Sequence, residues 1–202
     1  MKPTPREVID AIRKRFTGDP ALLEDYNEAL RYLSKDLYKN PDHFTLELIQ
    51  NADDNEYGPD VTPTITFRLS PERISIRNNE KGFSEANVRA LCRVGRSTKV
   101  KDQGFIGEKG IGFKSVFAVS DTPEIHSNGY HFNFSVGAKN ESLGYVVPYW
   151  LDNPGPECRL PGTTLILPAQ KGKRFDDATL GIIEKELLLF LRRLQVIEVS
   201  NA

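Results

Sequence analysis

Glu47 and Asn51 stand four residues apart in the stretch "FTLELIQNADDN", residues 44–55. On a helix they lie one turn apart on the same face. A carboxylate there is a proton acceptor, and an amide beside it offers both a donor and an acceptor. Laid out at about 100° per residue, Phe44, Leu48, Ile49 and Ala52 share one arc. Glu47, Asn51 and Asp54 share the opposite one, with Gln50 and Asn55 at its margins. A solvated face of a surface helix explains the same pattern. Against it, no Lys or Arg follows Glu47 at the spacing of a surface ion pair, and the face holds an Asn and a Gln.

A second stretch, "GFIGEKGIGFKSVF" at 104–117, places Gly104, Gly107, Gly110 and Gly112 before an apolar helical run. Backbone N–H groups opening onto a helix N-terminus form an anion site, and glycine lets the chain approach a ligand closely. The spacing is neither that of the Walker loop nor that of the dinucleotide fingerprint. A glycine-rich hairpin explains one or two of these glycines, not four so close together. Lys109 and Lys114 read equally well as phosphate contacts or as solvated lysines.

These segments need elements to position them. Residues 4–56 read as three helices. Thr4-Pro5-Arg6-Glu7 is a capping box with Pro at the first position, Asp19-Pro20 and Asn40-Pro41 start the next two, and Gly58 follows the last. From residue 63 the pattern turns to strands. "TITFRLS" and "RISIRN" alternate around Ser70-Pro71-Glu72, and "PEIHSN", "YHFNFS", "GYVVPYW" and "GTTLILP" follow. "SEANVRALCRVG" reads as a short helix capped by Ser84, "DDATLGIIEKELLLFLRRL" as a late amphipathic helix, and "VIEVS" as a last strand. Helices followed by a mostly antiparallel sheet predict an α+β fold, a two-layer sandwich with a mixed sheet covered by helices on one face.

Composition narrows the function. The 202 residues are 39% hydrophobic and 27% charged, enough for a real core. A net charge of −1 without a basic stripe argues against direct nucleic-acid binding. No apolar run has membrane-spanning length. Cys92 and Cys158 stand in no metal-ligand spacing and read as reduced thiols, placing the protein in the cytoplasm or nucleus. His43, His126 and His131 form no zinc motif.

The order along the chain is a helix with Glu47 and Asn51, "RNNEKGFSEANV" after a strand, the basic segment "VGRSTKVKDQ", the glycine loop, and "PGTTLILP". That order resembles the GHKL (Bergerat-fold) ATPase superfamily, within it the ninety-kilodalton heat-shock chaperone type. The finer likeness is to the sacsin and NO VEIN-like subgroup. It covers about residues 42–168, through "LELIQNADDN", "NNEKGFSEANV", "LCRVGRSTK" and "GFIGEKGIGFKSVF".

The resemblance implies an ATP-binding domain at 41–202, a helical extension packed on it at 1–40, and a lid at 84–106. Glu47 takes the place of the general base and Asn51 that of the Mg²⁺ ligand. Asp54 falls near the ribose and base, and Asn78 at the position that reads adenine. Gly82 and Phe83 close over the base, and Thr163 lies on the pocket floor. Gly107, Gly110, Ile111, Gly112 and Phe113 wrap the phosphates of ATP or ADP. Arg96, Ser97, Thr98 and Lys99 are phosphate-side contacts from the lid. The sequence departs from the family where Asn78 replaces an Asp and Glu80 a Gly. The family also completes its site with a Lys or Arg from a following domain, often in a dimer. A fragment of a larger protein is therefore implied, with a nucleotide-dependent dimer formed through domains outside this chain and a client or partner protein. Two functions stay open: slow Mg²⁺-dependent ATP hydrolysis driving a chaperone-like or remodelling cycle, and a nucleotide-binding interaction module with negligible turnover.

Overall fold

The computed structural model describes residues 2–16, 23–26, 28–29, 32, 43–93, 112–136 and 143–201. Helix α1, Pro5–Lys14, begins at the expected capping box: the Thr4 hydroxyl accepts from the Glu7 N–H at 3.3 Å, and the Glu7 carboxylate accepts from the Thr4 N–H at 2.7 Å. It buries Val8, Ile9 and Ile12. Its polar side reaches the sheet edge, where Arg13 stacks 4.4 Å over the Tyr149 ring and Arg6 pairs with Asp152 at 2.7 Å. Helix α2, His43–Asp53, buries Phe44, Thr45, Leu48, Ile49, Ala52 and Asp53. Helix α3, Glu85–Leu91, starts at a Ser84 cap.

The strands are β1 (Thr64–Leu69), β2 (Arg73–Asn78), β3 (Glu124–Ser127), β4 (Tyr130–Asn133), β5 (Tyr149–Trp150), β6 (Thr163–Pro168) and β7 (Val196–Asn201). They form one sheet in the order β5-β4-β3-β6-β2-β1-β7. β7 pairs parallel with β1, and the other pairs are antiparallel. The fold is α+β with a mixed, mostly antiparallel sheet, as expected. Alternation in β1 and β2 sends Ile65, Phe67, Leu69, Ile74 and Ile76 inward, and Asn78 ends β2 on that same buried face. Central β6 is buried on both faces from Thr163 to Leu167.

Three local expectations give way. "GYVVPYW" contributes only Tyr149–Trp150 to a strand, because residues 143–146 turn and Pro148 has no N–H to give a ladder. The run after the glycine loop, Gly112–Ala118, is a 3₁₀ segment. The expected late helix is two 3₁₀ segments, Asp177–Leu180 and Lys185–Phe190, broken where Glu184 turns extended (φ −100°, ψ 153°). After it, the Asp53 carboxylate takes the N–H groups of Arg192, Arg193 and Leu194 at 2.7–3.0 Å, donors that a continuing helix would give to its own carbonyls. Burial alone would raise the Asp53 carboxyl; those three amides and Arg192 outweigh it and hold it below its ordinary value.

The β3–β4 pair joins His126 and His131 through facing Nδ1 atoms 3.1 Å apart, and the His126 Nε2 lies 3.4 Å from Glu124. Burial first, then His126 and Arg159, lower the His131 pKa. Its folded value lies below the unfolded value of about 6.5, so stability is complete above that pH and is lost as the pH falls through the folded value. The thermal midpoint is expected to drop between about pH 7.5 and about pH 5.5, and less steeply in His131→Gln. Identical slopes for both proteins would remove His131 from the account.

Candidate functional site

Glu47 lies in the middle of α2 and Asn51 in its last turn, and both are partly rather than fully exposed. They face the start of the 3₁₀ segment. A Cβ on Gly112 would run into the Glu47 carboxylate and stand 4.0 Å from the Asn51 side-chain nitrogen. Glu47 and Asn51 of the polar stripe therefore meet backbone at Gly112. Burial pushes the Glu47 carboxyl above its ordinary value, and His43 pulls it partly back. A carboxylate shifted this way suits a general base. The Gly112 contact is with the far end of a flexible side chain, so Gly112→Ala is expected to fold with little change in thermal midpoint while displacing the carboxylate. A fall in any Glu47-dependent hydrolysis with an unchanged melt would bear this out; an unfolded variant would not.

Gly107, Gly110, Ile111, Arg96, Ser97, Thr98 and Lys99 lie outside the described residues, as does the lid from residue 94 to 106. Phe113 is buried in the core, its ring 6.1 Å from that of Phe134. Lys114 is neither of the things its sequence position proposed. Its ammonium is buried, donates to the carbonyls of Leu91 at 2.6 Å and Tyr145 at 2.5 Å, and sits 4.5 Å over the Phe134 ring. Burial brings its pKa down to about 8.

The ends of β2, β6 and β3 bring a second polar group together. Asn78, Thr163 and Ser127 are in register across these strands. The Thr163 hydroxyl donates to Glu80 Oε1 at 2.5 Å and lies 2.7 Å from the Ser127 hydroxyl. Ser127 accepts from the Phe83 N–H at 2.7 Å. Asn78, Glu80, Ser127 and Thr163 are all buried. Asn78 Oδ1 accepts from Tyr57, whose hydroxyl also donates to the Ala52 carbonyl at 2.7 Å, so one phenol proton is shared between two acceptors. Tyr57 thereby ties the row to the last turn of α2, one residue beyond Asn51. Gly82 packs under Asn128, which donates to the carbonyls of Lys81 and Phe83. Asp54 is buried and paired with Arg192 at 2.6 Å.

Sequence reasoning did not find Ser127, Asp53 or Arg192. Ser127 reads as an ordinary strand residue, and the partners of Asp53 lie about 140 residues away, at 139 to 141. Among the described residues no group of three or more His, Cys, Asp or Glu gathers as a metal site, and no helix is long and apolar enough to cross a membrane. Cys92 and Cys158 are buried free thiols, pushed by burial up to about 12 and about 11.

Residues 74–135, from β2 through β4, match the Sacsin domain family model. That segment holds Asn78, Glu80, Gly82, Phe83, Gly112, Phe113 and Ser127. Among curated proteins, the chain is similar to Protein NO VEIN of Arabidopsis thaliana, 57% identical over an alignment of 153 residues that covers 70% of this chain and 6% of that protein. It is also similar to Chaperone protein HtpG of Nitrosomonas europaea, 26% identical over 145 residues, 58% of this chain and 23% of HtpG. The chain spans less than a quarter of the length of either relative.

Proposed function

We propose that this chain is a GHKL-type ATP-binding domain that holds Mg·ATP or Mg·ADP between α2 and the glycine loop. The observation that carries the reading is the approach of Gly112 backbone to Glu47 and Asn51 on one face of α2. The similarity to HtpG, named a chaperone protein, supports the superfamily and a chaperone-like or remodelling cycle in a larger protein. The residues fit a magnesium ion: the Asn51 amide oxygen is a hard donor, and a single protein ligand leaves the ion most of its waters. Bound there, the ion would neutralise phosphate charge. Glu47 would take the proton of the attacking water, Asn51 would supply the protein's oxygen to the metal, and the amides from Gly107 to Phe113 would meet the phosphates.

A second reading, a nucleotide-binding module with negligible turnover, is favoured by a specific observation. Lys114, two residues past Gly112, is committed to two carbonyls, and Arg192, at the acidic end of α2, is committed to Asp53 and Asp54. A cation placed on transferring phosphate is worth roughly 10³–10⁵ in rate in related chemistry. With those two cations of the described residues committed elsewhere, this chain alone is expected to hydrolyse ATP slowly, and a faster cycle would draw on partner domains or a dimer. Isothermal titration with Mg·ATP, Mg·ADP and Mg·GTP tests the reading. Heat and a thermal shift with the adenine nucleotides support it; silence with all three at high concentration overturns it.

A further inference from the structure

We propose that the outward side of β1 and β2 is a docking face for a phosphorylated serine or threonine on a partner protein, held by Arg68, Arg73 and Arg77 around Ser75. The inference does not rest on the nucleotide site. Ile65, Phe67, Leu69, Ile74 and Ile76 take the other side of these strands into the core shared with α2. What remains outward is Thr64, Thr66 and Arg68 from β1 and Arg73, Ser75 and Arg77 from β2, three arginines and no acid. Register sets their arrangement. Arg68 stands directly opposite Ser75, and Arg73 and Arg77 flank Ser75 two residues to either side on the same face. Diagonal neighbours across a strand pair lie roughly 7–8 Å apart, so three long guanidinium side chains can converge above one hydroxyl.

Little within the chain answers this charge. Arg68 is exposed, and neither its guanidinium nor the Ser75 hydroxyl has a hydrogen bond or ion pair among the described residues. Arg77 gives one N–H to the Pro161 carbonyl at 3.2 Å, while its Nε is buried without a partner. Arg73 comes only within 4.0 Å of Glu157, between half-exposed side chains, and so loose a surface pair contributes little. The β7 carboxylate on this side, Glu198, accepts from the Thr66 hydroxyl at 2.9 Å. Like charges gathered on one face repel, and a buried donor left unpaired adds to the cost. An anion relieves both.

A phosphoryl group is the anion that fits. It carries a charge of about −1.5 to −2 and three acceptor oxygens, which guanidinium forks match two at a time. A carboxylate, with one charge and two oxygens, occupies one guanidinium rather than three. Three cations are few for a nucleic acid, whose binders commonly neutralise roughly 6–10 phosphates. The face is open, whereas free small ligands depend on a cleft that buries most of their surface. The group therefore has to arrive on a segment that makes contacts of its own around it. Leu160, exposed beside the Pro161 that Arg77 touches, offers such a segment an apolar foothold.

The test is an array of peptide pairs, each with a central serine plain or phosphorylated, probed with the whole chain at constant ionic strength, then calorimetry on the tightest pair. Phosphorylated members are expected to bind at least roughly tenfold tighter than their plain partners, and Arg68→Gln to lose roughly tenfold, the range of a hydrogen bond to a charged group. Arg68 and Arg73 are exposed, so Arg68→Gln and Arg73→Gln are expected to melt like wild type, and either one serves if the other does not fold. Asn51→Ala, aimed at the nucleotide site, is expected to leave peptide binding unchanged; a matching loss there would put the peptide in that site and overturn the proposal. A silent array overturns it. Equal binding of peptides with glutamate in place of phosphoserine overturns it too, by making the face a reader of acidic segments. Vesicles carrying phosphoinositides that bind the chain while the array is silent would assign the face to a membrane instead. Wild-type affinity in both arginine variants removes the face from the account.

Discussion

Asn51→Ala is expected to weaken Mg·ATP binding roughly 10–100-fold, a loss of the size seen when the shell around a bound metal is disturbed. Glu47→Ala is expected to leave that affinity near its wild-type value and to remove roughly 10²–10⁴ of the hydrolytic rate, taking a slow activity to background. The split follows from when each group acts. A metal ligand contributes to the bound ground state, whereas a general base contributes to the transition state. Titration and single-turnover hydrolysis on both variants check it. A Glu47→Ala chain that binds as poorly as Asn51→Ala while still hydrolysing would exchange or cancel the roles. Because the two side chains lie on the same face of one helix and meet the same glycine, a common folding defect would show in both melts.

Gly162→Ala is expected to be the most destabilising single substitution around the site. Gly162 has φ +98°, outside the region that side chains tolerate, and a Cβ there would collide with the Asn78 carbonyl oxygen and stand 3.1 Å from the Asn79 Cα. A left-handed backbone alone costs about 1–2 kcal/mol for a residue with a Cβ. The collision is with backbone at the end of β2, which cannot swing aside, so the sum is about 3 kcal/mol or more. For a domain of this size the thermal midpoint should fall by roughly 6–12 °C. A midpoint within about 2 °C of wild type would mean that the β2–β6 end is pliant.

Elements with local signals were legible. The Thr4 and Ser84 caps carry their own partners three residues on, and β1 and β2 alternate around a Ser-Pro-Glu turn. The register that puts Asn78, Thr163 and Ser127 in one row was out of reach, since it is set by strand order across the sheet. The late helix misled for a physical reason. Its apolar spacing is helical, yet the run breaks where Glu184 turns extended, and beyond its end Asp53 draws off the N–H groups of Arg192 to Leu194, neither of which shows in the spacing. Asp54 illustrates the same limit: its helical-wheel position is right for a ligand face, but its guanidinium partner comes from 138 residues away. Lys114 looked like a choice between phosphate and water because burial by three phenylalanine rings does not show in spacing. Glu80 stood out in the sequence as a departure at a Gly position, and its bond to Thr163, 83 residues on, could not be read there.

The parallel pairing of β1 with β7 has a kinetic side. Thr66 and Glu198 meet across 132 residues, and the loop that closes between them must form before the contact rewards it. The Asp53 anchor spans a similar length, so the end of α2 is held by the last described part of the chain. A nascent polypeptide that has made α2, β1 and β2 still lacks the edge that completes them. Folding is therefore governed by long-range closure and is expected to be slow, with β1 exposed as an open template until β7 arrives. During synthesis that interval lasts while more than a hundred residues emerge, and it is the period in which this domain itself most needs a chaperone.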